Sequence, residues 1–278
     1  MNSRSNTNDD LLLQRIDETC GGISLTISGH EEVLWRASLD GVTARCTVVQ
    51  DPAVNLVGLS TLTEATVDRG IASVLDYYRE QGKMFSWIVG PTSTPGNLGQ
   101  RLLAHGLTRK DNEAMWGMVQ HPLDPEMPTS AGTTIRRVTR AEALPHKAML
   151  AAAYGFGATE DAFDCFLLLL DALGDQAAIY LAWVDDTPDP VAWSFAFYHP
   201  DGDTMVLGGS ATLPTHRHRG LYRALVAQRL RDAHARGYTT AVVQAVRTTS
   251  APICERLGFD VVCPLELYQW VPPGLTEA

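Results

Sequence analysis

TLPTHRHRGLYRALV, residues Thr212 to Val226, is the stretch on which the reading of this chain turns. A strand-like end meets a proline, basic side chains crowd around Gly220, and an apolar pattern at helical spacing follows. The first four N–H groups of a helix have no internal partner, and the helix dipole favours negative charge there. Backbone donors gathered with Arg217, Arg219 and Arg223 at one helix start therefore point to an anion. Gly220 has no Cβ, so the backbone can come close enough for successive N–H groups to hold an anion. Helical spacing keeps the arginines from all aiming at one ligand.

The chain has 278 residues, more than one core usually serves, so two domains of about 130 to 140 residues each are expected. A net charge of −10 argues against a nonspecific nucleic-acid binder and suits a cationic small molecule better than an anionic one. The opening MNSRSNTNDD has no charged stretch followed by an apolar core, and the longest apolar run, Phe166 to Leu170, is too short to cross a bilayer. These features predict a cytoplasmic protein with no membrane partner. Five cysteines (Cys20, Cys46, Cys165, Cys254, Cys263) are scattered without a CxxC spacing, which predicts reduced thiols and no metal site.

Two stretches read as one unit used twice: EQGKMFSWIVGPTSTPGNLGQRLLAHGL (Glu80 to Leu107) and ARGYTTAVVQAVRTTSAPICERLGF (Ala235 to Phe259). Each leaves a helix at a glycine, continues into a β-rich run, passes a Thr/Ser/Pro turn, and forms a short helix closing at Gly106 or Gly258. An amphipathic helix precedes each, over Thr66 to Gln81 and over Leu221 to Arg236. The prolines of HPLDPEMPTSAG (His121 to Gly132) mark the boundary. The domains expected are a flexible arm at 1–10, a first domain at 11–124, a linker at 125–132, and a second domain at 133–278. In the second, strands are expected at Thr133 to Val138, Ala177 to Val184, Val191 to Tyr198, Thr204 to Leu213 and Thr239 to Val246, with further strands through Val261 and Leu267. Helices fill Arg140 to Ala153, Thr159 to Leu173 and Ser250 to Leu257.

On these features the second half resembles the GCN5-related N-acetyltransferase (GNAT) superfamily, and the whole chain resembles its tandem-domain bacterial members. The family's coenzyme A loop places Arg/Gln-x-x-Gly-x-Gly/Ala shortly after a proline. Here Pro214 is followed by Arg217-His218-Arg219-Gly220-Leu221-Tyr222, with Tyr222 in place of the small residue, and the downstream Leu-Gly-Phe signature stands at Leu257-Gly258-Phe259. The resemblance implies an α/β fold of two tandem GNAT-like domains, each a twisted mixed sheet flanked by helices. It implies acetyl-CoA or another acyl-CoA as cosubstrate, with the N–H groups of His218, Arg219, Gly220, Leu221, Tyr222 and Arg223 and the side chain of Arg217 on the pyrophosphate. Ser210, Ala211 and Thr212 would bind the pantetheine arm as an added strand, at the point where the strand bulges.

Acyl transfer to an amine needs donors for the developing oxyanion and a proton for the leaving thiolate. The resemblance gives the first role to the backbone of Thr212. The usual thiolate-protonating tyrosine is replaced by Cys254, which could donate a proton or simply fill the core, and Ser250 one turn earlier is its rival. The acceptor pocket falls at the junction of the second domain's first helices, with Tyr154 and Phe156 as an aromatic wall and Glu160 or Asp161 holding a cationic amine. Glu266 and Tyr268 share a strand face that could reach the site, and the general base is unassigned. GLSTLTEATVDRG (Gly58 to Gly70) has no Arg-x-x-Gly and carries Glu64 and Asp68, so the first domain is expected to bind no coenzyme A and instead to support or cover the acceptor pocket. The expected activity is transfer of an acyl group, most simply acetyl, to the primary amine of a small molecule such as an antibiotic or other specialised metabolite, by direct attack in a ternary complex. The other readings are a donor presented on an acyl carrier protein, and a non-catalytic regulatory protein that binds coenzyme A. A homodimer is compatible with all three.

Overall fold

A computed structural model describes residues 3–18, 30–127, 132–155, 159–185, 187–200 and 202–275. The chain divides into two compact units, the first made of Met1–Ser24, Glu32–Met118 and Val243–Ala278, the second of Leu25–Glu31 and Val119–Val242. The chain thus leaves its first unit, builds the second, and returns to finish the first. This differs from the division expected at 125–132, because the last strand finds its partners in the first half of the sequence.

The first unit opens with helix α1 (Ser3–Glu18), whose first turns occupy the stretch expected as a flexible arm. Strands β1 (Leu34–Leu39) and β2 (Val42–Thr47) form a hairpin closed by Asp40 and Gly41, both at positive φ, as a tight two-residue turn demands. Then come β3 (Leu56–Gly58), α2 (Val67–Glu80), β4 (Phe85–Val89), α3 (Leu98–Ala104), the short β5 (Thr108–Arg109) and β6 (Met115–Gln120). The C-terminal α8 (Ala251–Arg256) and β12 (Asp260–Trp270) also belong here, and the strand order is β1-β2-β3-β4-β12-β6. β3 and β4 run parallel, while β12 pairs antiparallel with β4 and β5, so the sheet is mixed. Alternation along β12 sends Tyr268 and Trp270 into a core with Val67, Ile71, Val74, Tyr78, Phe85, Trp87 and Leu102. Where two closing strands were expected there is one long β12.

The second unit begins with β7 (Thr133–Val138), then α4 (Arg140–Ala143) and α5 (Lys147–Tyr154), separated by a 3-10 turn at Leu144–His146. The single helix expected over Arg140 to Ala153 is broken there because Pro145 lacks an N–H and clashes with the preceding turn. Helix α6 (Glu160–Leu173) precedes β8 (Ala177–Val184), β9 (Ala192–Tyr198), β10 (Thr204–Thr212) and α7 (Leu221–Ala235), after which β11 (Thr240–Val246) begins. The strands form an antiparallel meander in the order β10-β9-β8-β7. Period-two alternation turns Trp193 and Phe195 of β9 toward α5 and α6, where they meet Phe163 and Phe166 at 5.1 and 6.2 Å. It turns Tyr198 to the other face, where Tyr180 Oη joins it at 3.1 Å and donates to Asp232 of α7 at 2.7 Å.

The α/β class and the repeat both hold. β1-β2-β3-α2-β4-α3 and β8-β9-β10-α7-β11-α8 are the same succession of elements. The glycines that mark the repeat all sit at positive φ and close helices in the same way: Leu107 N–H bonds Leu102 O (3.1 Å) past Gly106, and Phe259 N–H bonds Cys254 O (3.0 Å) past Gly258.

Candidate functional site

The candidate site is built on β10. Its register against β9 breaks between Leu207, opposite Ala196, and Ser210, opposite Ser194, leaving Gly208 and Gly209 across from Phe195 alone. Two residues facing one is a β-bulge, which bends the strand. Gly208 is required there: a Cβ would stand 2.7 Å from the ring of Phe197.

Beyond the bulge, Leu213 N–H donates to Val191 O (2.9 Å), which makes Thr212 and Ala192 a non-hydrogen-bonded pair. The N–H and C=O of Thr212, and by alternation those of Ser210, therefore point away from β9. The Thr212 carbonyl accepts from Arg217 Nε at 3.1 Å. Ala211, expected to work alongside them, instead has its backbone groups committed to Trp193 by the same register. Of the three residues expected to line a pantetheine arm, Ser210 and Thr212 thus present their amides and Ala211 does not.

After a 3-10 turn at Pro214–His216, Arg217 is extended, His218 takes φ +63°, and Gly220 caps α7 at φ +77°. Left-handed residues set into such a turn form concavities of backbone N–H groups that bind anions. No side chain caps the helix, and its first ladder bond joins Ala224 N–H to Gly220 O (3.0 Å), so the N–H groups of Leu221 and Arg223 lie in the first turn, ahead of the helix's own ladder. Arg217, His218, Arg219 and Arg223 are exposed, Tyr222 is half-buried and Leu221 is buried in the core. Arg219 and Arg223 have no salt-bridge partner among the described residues. An uncapped helix start, two left-handed residues and uncommitted guanidinium groups fit a pyrophosphate.

On the α5–α6 face, the Tyr154 ring lies 5.6 Å from Trp193 and 6.1 Å from Phe163. A Cβ on Gly209 would be 3.9 Å from Tyr154 and 3.4 Å from Trp193, so both rings border the bulge. Phe156 falls outside the described residues. Thr159 caps α6 by accepting from Ala162 N–H (3.1 Å), and Glu160 and Asp161 are exposed in its first turn. The ammonium of Lys147 donates to Asp164 at 2.8 Å; that bond, with the charges of Asp164, Glu160 and Asp161, raises its pKa. The bonded acid is Asp164, and Glu160 and Asp161 act on Lys147 through their charge alone. Trp193 went unremarked in the sequence because an apolar residue within a strand gives no sign of which ring it will touch.

Ser250 and Cys254 lie in the first unit. Ser250 stands at the start of α8, half-buried, with no side-chain capping bond. Cys254 is fully buried, which matches the filler role. Glu266 and Tyr268 lie in the first unit, where Tyr268 donates to Glu266 at 2.6 Å and its hydroxyl lies against Gly99 of α3.

The first unit has its own counterpart of the β10 loop, and there the strands are laced together. Thr94 N–H donates to Ser60 O (2.9 Å), Leu62 N–H to Thr94 O (3.3 Å), and Trp87 Nε1 to Ser60 Oγ (3.0 Å). Leu62 is buried, and a Cβ on Gly70 would meet it at 2.6 Å. Asp68 in the first turn of α2 pairs with Arg101 (2.6 Å) and His105 (3.0 Å), putting negative charge where an anion would bind.

Residues 147–259 match the Acetyltransferase (GNAT) family, and acyl transfer from acetyl-CoA or another acyl-CoA is the chemistry of that family. The fold likeness extends further. A GCN5-related N-acetyltransferase from Kribbella flavida shares 18% identity over 94% of this chain and 96% of its own, with a TM-score of 0.67. One from Sphaerobacter thermophilus shares 15% over 84% and 78% (TM-score 0.57). A tandem GNAT protein from the clavulanic acid biosynthesis pathway shares 12% over 95% of each chain (TM-score 0.55). No curated protein matches. Among the described residues no helix is long and apolar enough to cross a membrane.

Proposed function

We propose that this protein is an N-acetyltransferase that moves the acetyl group of acetyl-CoA to the primary amine of a small molecule by direct attack, with both substrates bound together. The observation that carries this reading is the β10 strand itself, bulged at Gly208–Gly209, with Thr212 N–H turned out of the ladder and leading into an uncapped basic helix start. The fold likeness to a tandem GNAT protein from the clavulanic acid biosynthesis pathway is in keeping with a small-molecule acceptor.

Bound acetyl-CoA supplies the thioester carbonyl and a thiolate leaving group. The loop from His218 to Arg223 holds the pyrophosphate with backbone N–H groups, Arg219 or Arg223 adds charge-assisted bonds, and Arg217 braces the loop through its bond to Thr212 O. The amides of Ser210 and Thr212 align the pantetheine arm, and Thr212 N–H donates to the carbonyl oxygen as charge develops on it. Tyr154 walls the acceptor, and Glu160 and Asp161 attract a cationic amine. Of the two residues expected to protonate the thiolate, Ser250 is half-buried and makes no capping bond while Cys254 is sealed in a core, which favours Ser250. The laced strands and Asp68 support a first half that binds no coenzyme A.

Incubation with acetyl-CoA and an amine panel, read by thiol release and mass spectrometry, tests the activity. Acetylated amine is expected, and absence of both turnover and acetyl-CoA binding would overturn it. Calorimetry should give one acetyl-CoA per chain; two equivalent sites would overturn the reading of the first half.

A further inference from the structure

Arg229 is fully buried in α7, in the second unit. Taking a guanidinium out of water is costly, and an apolar side chain of similar volume usually serves stability as well or better. What Arg229 does with that charge is specific. Its Nε donates to Leu225 O one turn back (3.1 Å), which orients the group, and Nη1 donates to Phe195 O (2.8 Å) and to Gly208 O (3.4 Å). Phe195 is the one β9 residue opposite the bulge, and Gly208 is the first bulge residue. A bulge disrupts the ladder at these positions and leaves their carbonyls in need of other donors.

We propose that Arg229 is a positioning residue for the acyl site: its guanidinium stands in for the ladder bonds that the β9–β10 bulge gives up, and so fixes the angle at which Ser210 and Thr212 leave the bulge. The functional side of this proposal rests on the acetyltransferase reading; the geometric side does not. Nη1 alone carries both carbonyl bonds while Nε, tied to Leu225 O, fixes its direction, whereas a lysine ammonium is a point charge on a flexible stem with no second donor to anchor it. Arg229 touches neither substrate and acts through the strand.

Hydrogen–deuterium exchange on the whole protein, with Arg229→Met and Arg229→Lys, tests it. In Arg229→Met, amides from Gly208 to Thr212 and around Phe195 should exchange about tenfold faster or more, while β7 and β8 keep wild-type rates and acetyl-CoA affinity by calorimetry falls about tenfold, the scale of one lost hydrogen bond. Arg229→Lys should fall between, and supplies the same comparison if the methionine variant does not fold. Unchanged exchange at the bulge overturns the proposal. So does uniform acceleration across the second unit, which would make Arg229 a matter of stability alone. If the wild type binds no acetyl-CoA, the acetyltransferase reading falls, while the exchange pattern still decides what Arg229 does.

Discussion

At the scale of single residues, glycine positions and exposed charges carry the clearest expectations. Gly208→Ala would drive a Cβ to within 2.7 Å of Phe197 and 3.0 Å of Phe195, and should cost about 1–3 kcal/mol in thermal or denaturant unfolding. Arg219→Ala and Arg223→Ala should each weaken acetyl-CoA binding by about tenfold, as exposed charge-assisted contacts do, and should flatten its dependence on salt. Ser250→Ala should lower kcat by about 10²-fold, the usual scale of a general acid, and shift the pH–rate profile. Cys254→Ala should leave kcat near wild type and cost only about 1 kcal/mol of stability for a small cavity. Equal losses of kcat in both variants would return the thiol to the mechanism. The basic loop was legible because charge and glycine at a helix start have few other uses. Arg229 was not, since an arginine inside a helix looks like any exposed one until its carbonyl partners are known.

At the scale of elements, helix ends were the most readable features. Gly106, Gly237 and Gly258 all take positive φ and close their helices with local bonds, and local bonds leave a local signature in the sequence. Strand partners were less so. Burial raises the Cys263 thiol from 9.0 to about 11 and the Tyr268 hydroxyl from 10.0 to about 12, the latter helped by its bond to Glu266. A pKa raised on folding gives stability that is present below the unfolded value and lost as pH climbs toward the folded one. Unfolding temperature should therefore decline from pH 9 to 12, and Tyr268→Phe should flatten the upper part of that decline. A profile unchanged by the substitution would count against a buried Tyr268.

At the scale of the whole molecule, the return of the chain to its first unit is the main consequence. Tyr268 and Trp270 complete a core otherwise built mainly from β2, β3, α2, β4 and α3, so a fragment ending at residue 242 should lose the cooperative unfolding of that core, as should 11–124 expressed alone. Cooperative melting of either fragment, followed by calorimetry, would show that β12 is dispensable. The sequence by itself determined the glycine-closed helix ends, the repeat, the basic loop and the α/β class, because periodicity, glycine and charge act over a few residues. Only the tertiary structure decided that β12 pairs with β4 and β5, that Ala211 turns inward while Thr212 turns out, and that Glu266 and Tyr268 serve packing. Those outcomes depend on strand register and on side chains distant in sequence, and a one-residue change of register exchanges every inward group for an outward one.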